Sequence, residues 1–136
     1  MNKHGQSLVL FIIIIPISII VTALVVDTGI NMYNEKKLKN VTEDVITNIL
    51  ENDLTSDKYE ERAKNIYEKN KIDTDYLMVT ETYDGIEVYN STLYYSLFNS
   101  IFRNGTRQTT VNARGRKDDN GKITVEFIED DVNENK

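Results

Sequence analysis

The sequence predicts an α+β protein in which a single N-terminal transmembrane helix continues into an amphipathic helix packed on a small antiparallel sheet. Three observations predict it. Leu8–Val26 contains no charged residue. The stretch after it repeats apolar residues at helical spacing. Further on, runs with a period of two are separated by Asp84-Gly85 and by Asp118-Asp119-Asn120-Gly121, residues that favour hairpin turns.

The apolar run is built from Leu, Val, Ile and Phe, relieved only by Pro16, Ser18, Thr22 and Ala23. A helix of this length spans roughly 28 Å, close to the hydrocarbon thickness of a bilayer. It is apolar on every face, and a small globule has no room to bury such a helix. Val21-Thr22-Ala23 offers an alternative, a signal peptide cut after Ala23, but the apolar residues continue to Val26. An uncleaved anchor is the expectation. A count of Lys36, Lys37 and Lys39 against Lys3 would place the C-terminal side inside. Those lysines share a helix with Glu35, Glu43 and Asp44, however, and long domains translocate largely regardless of charge. The expected arrangement is N-terminus in, C-terminal domain out.

Composition narrows the function classes. The chain has 136 residues and a formal charge of -6. The part beyond the apolar run holds all 22 acidic residues and all of the 16 basic ones except Lys3. Such a surface repels nucleic acid, so no nucleic-acid partner is expected. The absence of cysteine excludes disulfides, thiol catalysis and Cys-based metal sites. The sole histidine, His4, precedes the apolar run, so the globular part has no His for a catalytic dyad or a metal site. No catalytic residue, cofactor or metal is expected.

The elements follow in order. Ile30, Asn34, Leu38, Val41, Val45 and Ile49 make a helical stripe, widened by Ile46 and Leu50, over Gly29 to about Asp53. Asp57 is placed to cap a second helix, Lys58 to Lys69, with Tyr59, Ala63, Ile66 and Tyr67 inward. Asp75–Tyr83 and Ile86–Asn90 read as a hairpin about Asp84-Gly85. Ser91 or Thr92 is placed to cap a short helix ending at Phe102, with Gly105 past its end. Thr106–Arg116 and Lys122–Ile128 form a second hairpin, with Val111, Ala113 and Gly115 on one face. The expected organisation is 1–7 cytoplasmic, 8–26 transmembrane, 27–128 an extracytoplasmic α+β domain, and 129–136 an acidic disordered tail.

The N-terminal third resembles the TadE/TadG-like pseudopilins of tight-adherence (Flp, type IVc) pilus systems. The shared pieces are Gly5-Gln6-Ser7, an apolar run with Pro16 in its first half, Asp27-Thr28-Gly29 just past it, and Leu38-Lys39-Asn40-Val41 on the following helix. The resemblance implies a pilin-like fold and prepilin-peptidase cleavage between Gly5 and Gln6. It also implies that Leu10, Pro16, Asp27 and Gly29 take part in membrane-helix packing. The sequence departs from the pattern at Leu10, the fifth position after that cut, where the family usually has Glu. A buried acid there meets a neighbour's charged amino terminus, which Leu10 cannot, so the pattern fits either a TadG-like member, in which that Glu is often absent, or a chain that is never cleaved and stays in the bilayer. The implied setting is a bacterial cytoplasmic membrane. Implied partners are membrane lipid, other pilus or envelope proteins and further copies of the chain.

One segment of the acidic domain is basic: Arg103, Arg107, Arg114, Arg116, Lys117 and Lys122. It reads either as a docking face for an acidic partner or as outward charges on two paired strands. Asp118-Asp119-Asn120-Gly121 has a faint likeness to a calcium turn, but a hairpin loop uses the same residues.

Overall fold

The structure is a computed structural model and describes residues 3–102 and 105–128, with the side chains of 101 and 102 excepted. Arg103 and the tail 129–136 lie outside the described residues. The fold is α+β. A long helix, α1 (Lys3–Glu51), is followed by a 3-10 turn (Ser56–Lys58) and α2 (Tyr59–Lys69). Strands β1 (Met78–Glu81) and β2 (Gly85–Tyr95), helix α3 (Leu97–Phe102), and strands β3 (Thr106–Lys117) and β4 (Ile123–Phe127) complete it. The sheet has the order β1-β2-β3-β4, and its outer pairs are antiparallel.

The residues fall into two compact units, Met1–Tyr33 with Tyr94–Arg107, and Asn34–Leu93 with Gln108–Lys136. The second holds the main core. The predicted stripe of α1 supplies Leu38, Val41, Val45, Ile46, Ile49 and Leu50, all buried. They cluster with Ala63 and Tyr67 of α2, Ile86 and Val88 of β2, and Val111 and Ala113 of β3. Val125 and Phe127 of β4 pack at its edge. Two glycines allow this packing. A Cβ on Gly115 would come within 2.0 Å of Ile46 Cγ2, and one on Gly85 within 1.8 Å of the Gly115 carbonyl oxygen. Side chains are absent where helix and strands approach most closely. Inside the core the Tyr67 hydroxyl meets Thr42 Oγ1 at 2.5 Å.

Several boundaries differ from expectation for local reasons. α1 stops at Glu51 because Asp53 takes a left-handed conformation, φ 45°. Asp57 lies inside the 3-10 turn and does not cap α2, which starts at Tyr59. β1 is shorter than its apolar run because residues 74–77 turn, with Leu77 N donating to Thr74 O. β2 is longer than expected. Ser91 stays in the sheet, where its hydroxyl donates to Thr109 O and meets Thr110 Oγ1, so α3 begins six residues later than Ser91. In the β3–β4 turn, Asp118 Oδ1 accepts from Asn120 N at 3.0 Å and Lys122 N at 2.7 Å. Gly121, at φ 83°, supplies the positive dihedral this turn requires.

Candidate functional site

The apolar run forms one helix with no break at Pro16. Pro16 has no N–H to give the Ile12 carbonyl, a loss that helices in lipid tolerate. Leu8, Ile13 and Val25 are 62%, 54% and 67% exposed, so large aliphatic side chains point away from the fold along the whole run. The hydroxyls of Thr22 within the run and of the flanking Ser7 and Thr28 turn back onto the helix. Thr22 Oγ1 donates to Ser18 O, Thr28 Oγ1 to Leu24 O and Ser7 Oγ to Lys3 O, each one helical turn back. Helix α1 is thus long and apolar enough near its N-terminus to cross a membrane.

The residues singled out by the resemblance have distinct surroundings. Gly5 and Gln6 are helical and exposed, as are Leu10 and Pro16. Gly29 is exposed, and a Cβ added there would touch nothing within 4 Å. Asp27 alone is buried by its own chain. Its Oδ2 accepts from Ser96 Oγ at 2.5 Å and from Phe98 N at 2.8 Å, and its Oδ1 from Leu97 N at 2.7 Å. Four residues further along α1, Asn31 Oδ1 accepts from the Tyr94 hydroxyl at 2.8 Å.

The first charged residue after the apolar run therefore caps the amino end of α3. Burial alone would push the Asp27 carboxyl up. The Ser96 hydroxyl, the Phe98 and Leu97 amides and the Arg107 charge outweigh it and hold the group below its ordinary 3.8. An ionised Asp27 also suits the positive end of a helix dipole. No family model matches the chain, and neither does any curated protein or solved structure. The resemblance of the N-terminal third therefore rests on its residues alone.

The described residues of the basic segment fall in both units. Arg107 belongs with Asp27 in the first unit. In the second, Arg114 Nη2 lies 3.5 Å from Glu87 Oε2, and Arg116 Nη2 lies 3.3 Å from Glu126 Oε2. Lys117 Nζ donates to Asp53 Oδ1 at 3.0 Å and to the Leu50 carbonyl at 3.1 Å, closing the end of α1. Three of the predicted cations are thus engaged by carboxylates of their own domain. Among the described residues no cluster of three or more His, Cys, Asp or Glu side chains is placed to hold a metal ion.

The Asp27 cap was only half visible in sequence. An acid at the end of an apolar run stands out, but nothing local names a partner some seventy positions away. The usable signal was Ser96, a good N-cap ahead of Leu97-Phe98, obscured by Ser91 and Thr92, which compete for the same role.

Proposed function

We propose that this chain is a single-pass protein of the bacterial cytoplasmic membrane, N-terminus inside and α+β domain outside. It serves as a pseudopilin-like component of a tight-adherence pilus assembly or secretion system. It works by helix packing and partner contacts and performs no chemistry. One observation carries the reading. A helix apolar on all sides over Leu8–Val26, and exposed there except at Ala23, continues into a stripe, Leu38 to Leu50, that packs on an antiparallel sheet. That is the arrangement a pilin-like subunit needs, with one half of the helix for lipid or neighbouring helices and the other for its own domain. The order Gly5-Gln6, Pro16, Asp27-x-Gly29 adds support from the sequence.

A second reading, a permanently anchored binding module unrelated to pili, draws on Leu10. An aliphatic residue at that position gives a neighbour's amino terminus nothing to pair with. Fractionation and intact mass of the full chain decide between them. The pseudopilin reading expects retention in carbonate-washed membranes, digestion of the α+β part by protease added from outside, and loss of Met1 to Gly5. A full-length mass with the same fractionation favours the plain anchor. Release of the intact chain into the soluble fraction without detergent would overturn both.

A further inference from the structure

We propose that α3 is a second membrane contact, a short re-entrant helix inserted beside α1 in the leaflet nearest Asp27, with lipid acyl chains against its outer side. The inference rests on the reading that Leu8–Val26 spans a bilayer, and adds to it a part of the chain far away in sequence.

Depth is the first argument. Leu97 and Ser100 of α3 line a groove of about 470 Å³ together with Ile15, Ser18, Ile19, Thr22 and Ala23 of α1. By helical rise, Ile15 to Ala23 lie about 5 to 17 Å below the end of the apolar run. Half the hydrocarbon thickness is about 15 Å. If α1 spans a bilayer over its apolar run, whatever lies against those residues lies at hydrocarbon depth. Ala23, at 6% exposure, is the one residue of the run that the chain itself buries.

The backbone of α3 points the same way independently of depth. A helix leaves its first four N–H groups without helical partners, and in lipid no water is present to satisfy them. In α3 all four are taken. Ser96 N donates to Gly105 O at 2.8 Å. Leu97 N and Phe98 N donate to Asp27, and Asn99 N donates to Ser96 Oγ at 3.1 Å. The side chains conform as well. Ser100 Oγ donates to Leu97 O, and Asn99 Nδ2 to Thr106 O. A six-residue helix has little stability of its own and leans on such closure of its amino end in any solvent. Against hydrocarbon, the closure is a requirement. The sequence Leu97-Phe98-Asn99-Ser100-Ile101-Phe102 is apolar at its other positions. The Asp27 carboxylate at the amino end of α3 interacts with the Arg107 charge, which puts that end at the polar boundary, and Arg103 follows α3 directly in sequence.

The chain has no tryptophan, so a single introduced Trp reports its own depth. Leu97→Trp and Phe98→Trp are each reconstituted as the full chain in phosphatidylcholine vesicles with acyl chains brominated at mid-depth, which quench Trp on contact. Ile13→Trp in the apolar run and Tyr83→Trp in the β1–β2 turn, fully exposed, are the references. The expected result is blue-shifted emission and quenching for Leu97→Trp and Phe98→Trp that approach those of Ile13→Trp. Neither variant quenched, with Ile13→Trp quenched, overturns the insertion of α3 and leaves the anchor reading intact. Ile13→Trp unquenched like Tyr83→Trp overturns the anchor reading and this inference with it.

Discussion

The two halves of α1 are both rich in Ile, Leu and Val, yet they place them in opposite surroundings. In Leu8–Val26 the aliphatic side chains point outward on every side, and only Ala23 is buried. In Leu38–Leu50 they fall on one stripe and are almost wholly buried, with Glu43 and Asp44 left outside. Composition and period both separate the halves: the first has no charge and no apolar stripe, the second sets Lys39, Glu43 and Asp44 apart from one. A stripe at intervals of three and four needs one partner surface, and the sheet provides it. A run without period has no inside, so its complement has to surround it, which lipid does and a four-stranded sheet cannot.

The same substitution made in both halves tests this contrast most strongly. Ile46 is fully buried, and its Cγ2 sits where a side chain on Gly115 would be. Ile46→Ala should lower the stability of the α+β fold by about 2–5 kcal/mol through lost burial and a residual cavity. Ile13→Ala should leave it within about 0.5 kcal/mol, because nothing in the fold packs on that side chain. Urea unfolding of the full chain in detergent, followed by near-ultraviolet circular dichroism, measures both. Equal losses would mean that the apolar run belongs to the folded core.

A second test lies in alkaline pH. Burial pushes the Tyr67 hydroxyl from 10.0 up to about 12, against the opposing pull of its hydrogen bond to Thr42. Between those values the unfolded chain releases this proton and the folded one retains it. The contribution is present in full below pH 10 and fades as pH rises through about 12. It amounts to about 2–3 kcal/mol over the window. Tyr59 is also raised, by burial first, so Tyr67→Phe should flatten the decline without abolishing it. Denaturation midpoints at pH 8, 10 and 11 provide the measurement. An unchanged slope in Tyr67→Phe would show that this hydroxyl does not stay protonated in the fold.

Sequence reasoning recovered what repeats and missed what is closed by single long-range contacts. The stripe from Leu38 to Leu50, the inward face of α2, and Val111, Ala113 and Gly115 on one side of β3 were all legible from spacing. The first hairpin was legible, although Gly85 lies in β2 without a positive φ and serves the close approach to Gly115. The Asp118–Gly121 turn was legible from turn chemistry and is held by Asp118 as that chemistry requires. The start of α3 was not. Ser91 and Thr92 carry the same capping chemistry as Ser96, and only the pairing of Ser91 with residues 109 and 110 decides against them. Asp27 was noticed for its position, but its role depends on Ser96, Leu97 and Phe98, which no local pattern connects to it.

The smallest expected effect concerns the basic residues of β3. Arg114 and Arg116 are two positions apart, so they stand on the same outward face of the strand. Their carboxylate partners sit at 3.5 Å and 3.3 Å, and the four side chains are between 31% and 62% exposed. Pairs so open to solvent contribute little, since water and salt screen them. Arg114→Gln with Arg116→Gln should therefore cost less than about 1 kcal/mol, and part of that should vanish in high salt. A loss of several kcal/mol would show instead that these cations hold the β2–β3–β4 sheet together. A near-neutral result leaves the double variant folded and makes it a clean probe of partner contact. If an envelope partner docks on this face, its capture by the variant weakens with no change in stability. Lys117 makes a poor probe by comparison, because its bond to the Leu50 carbonyl mixes the end of α1 into any result.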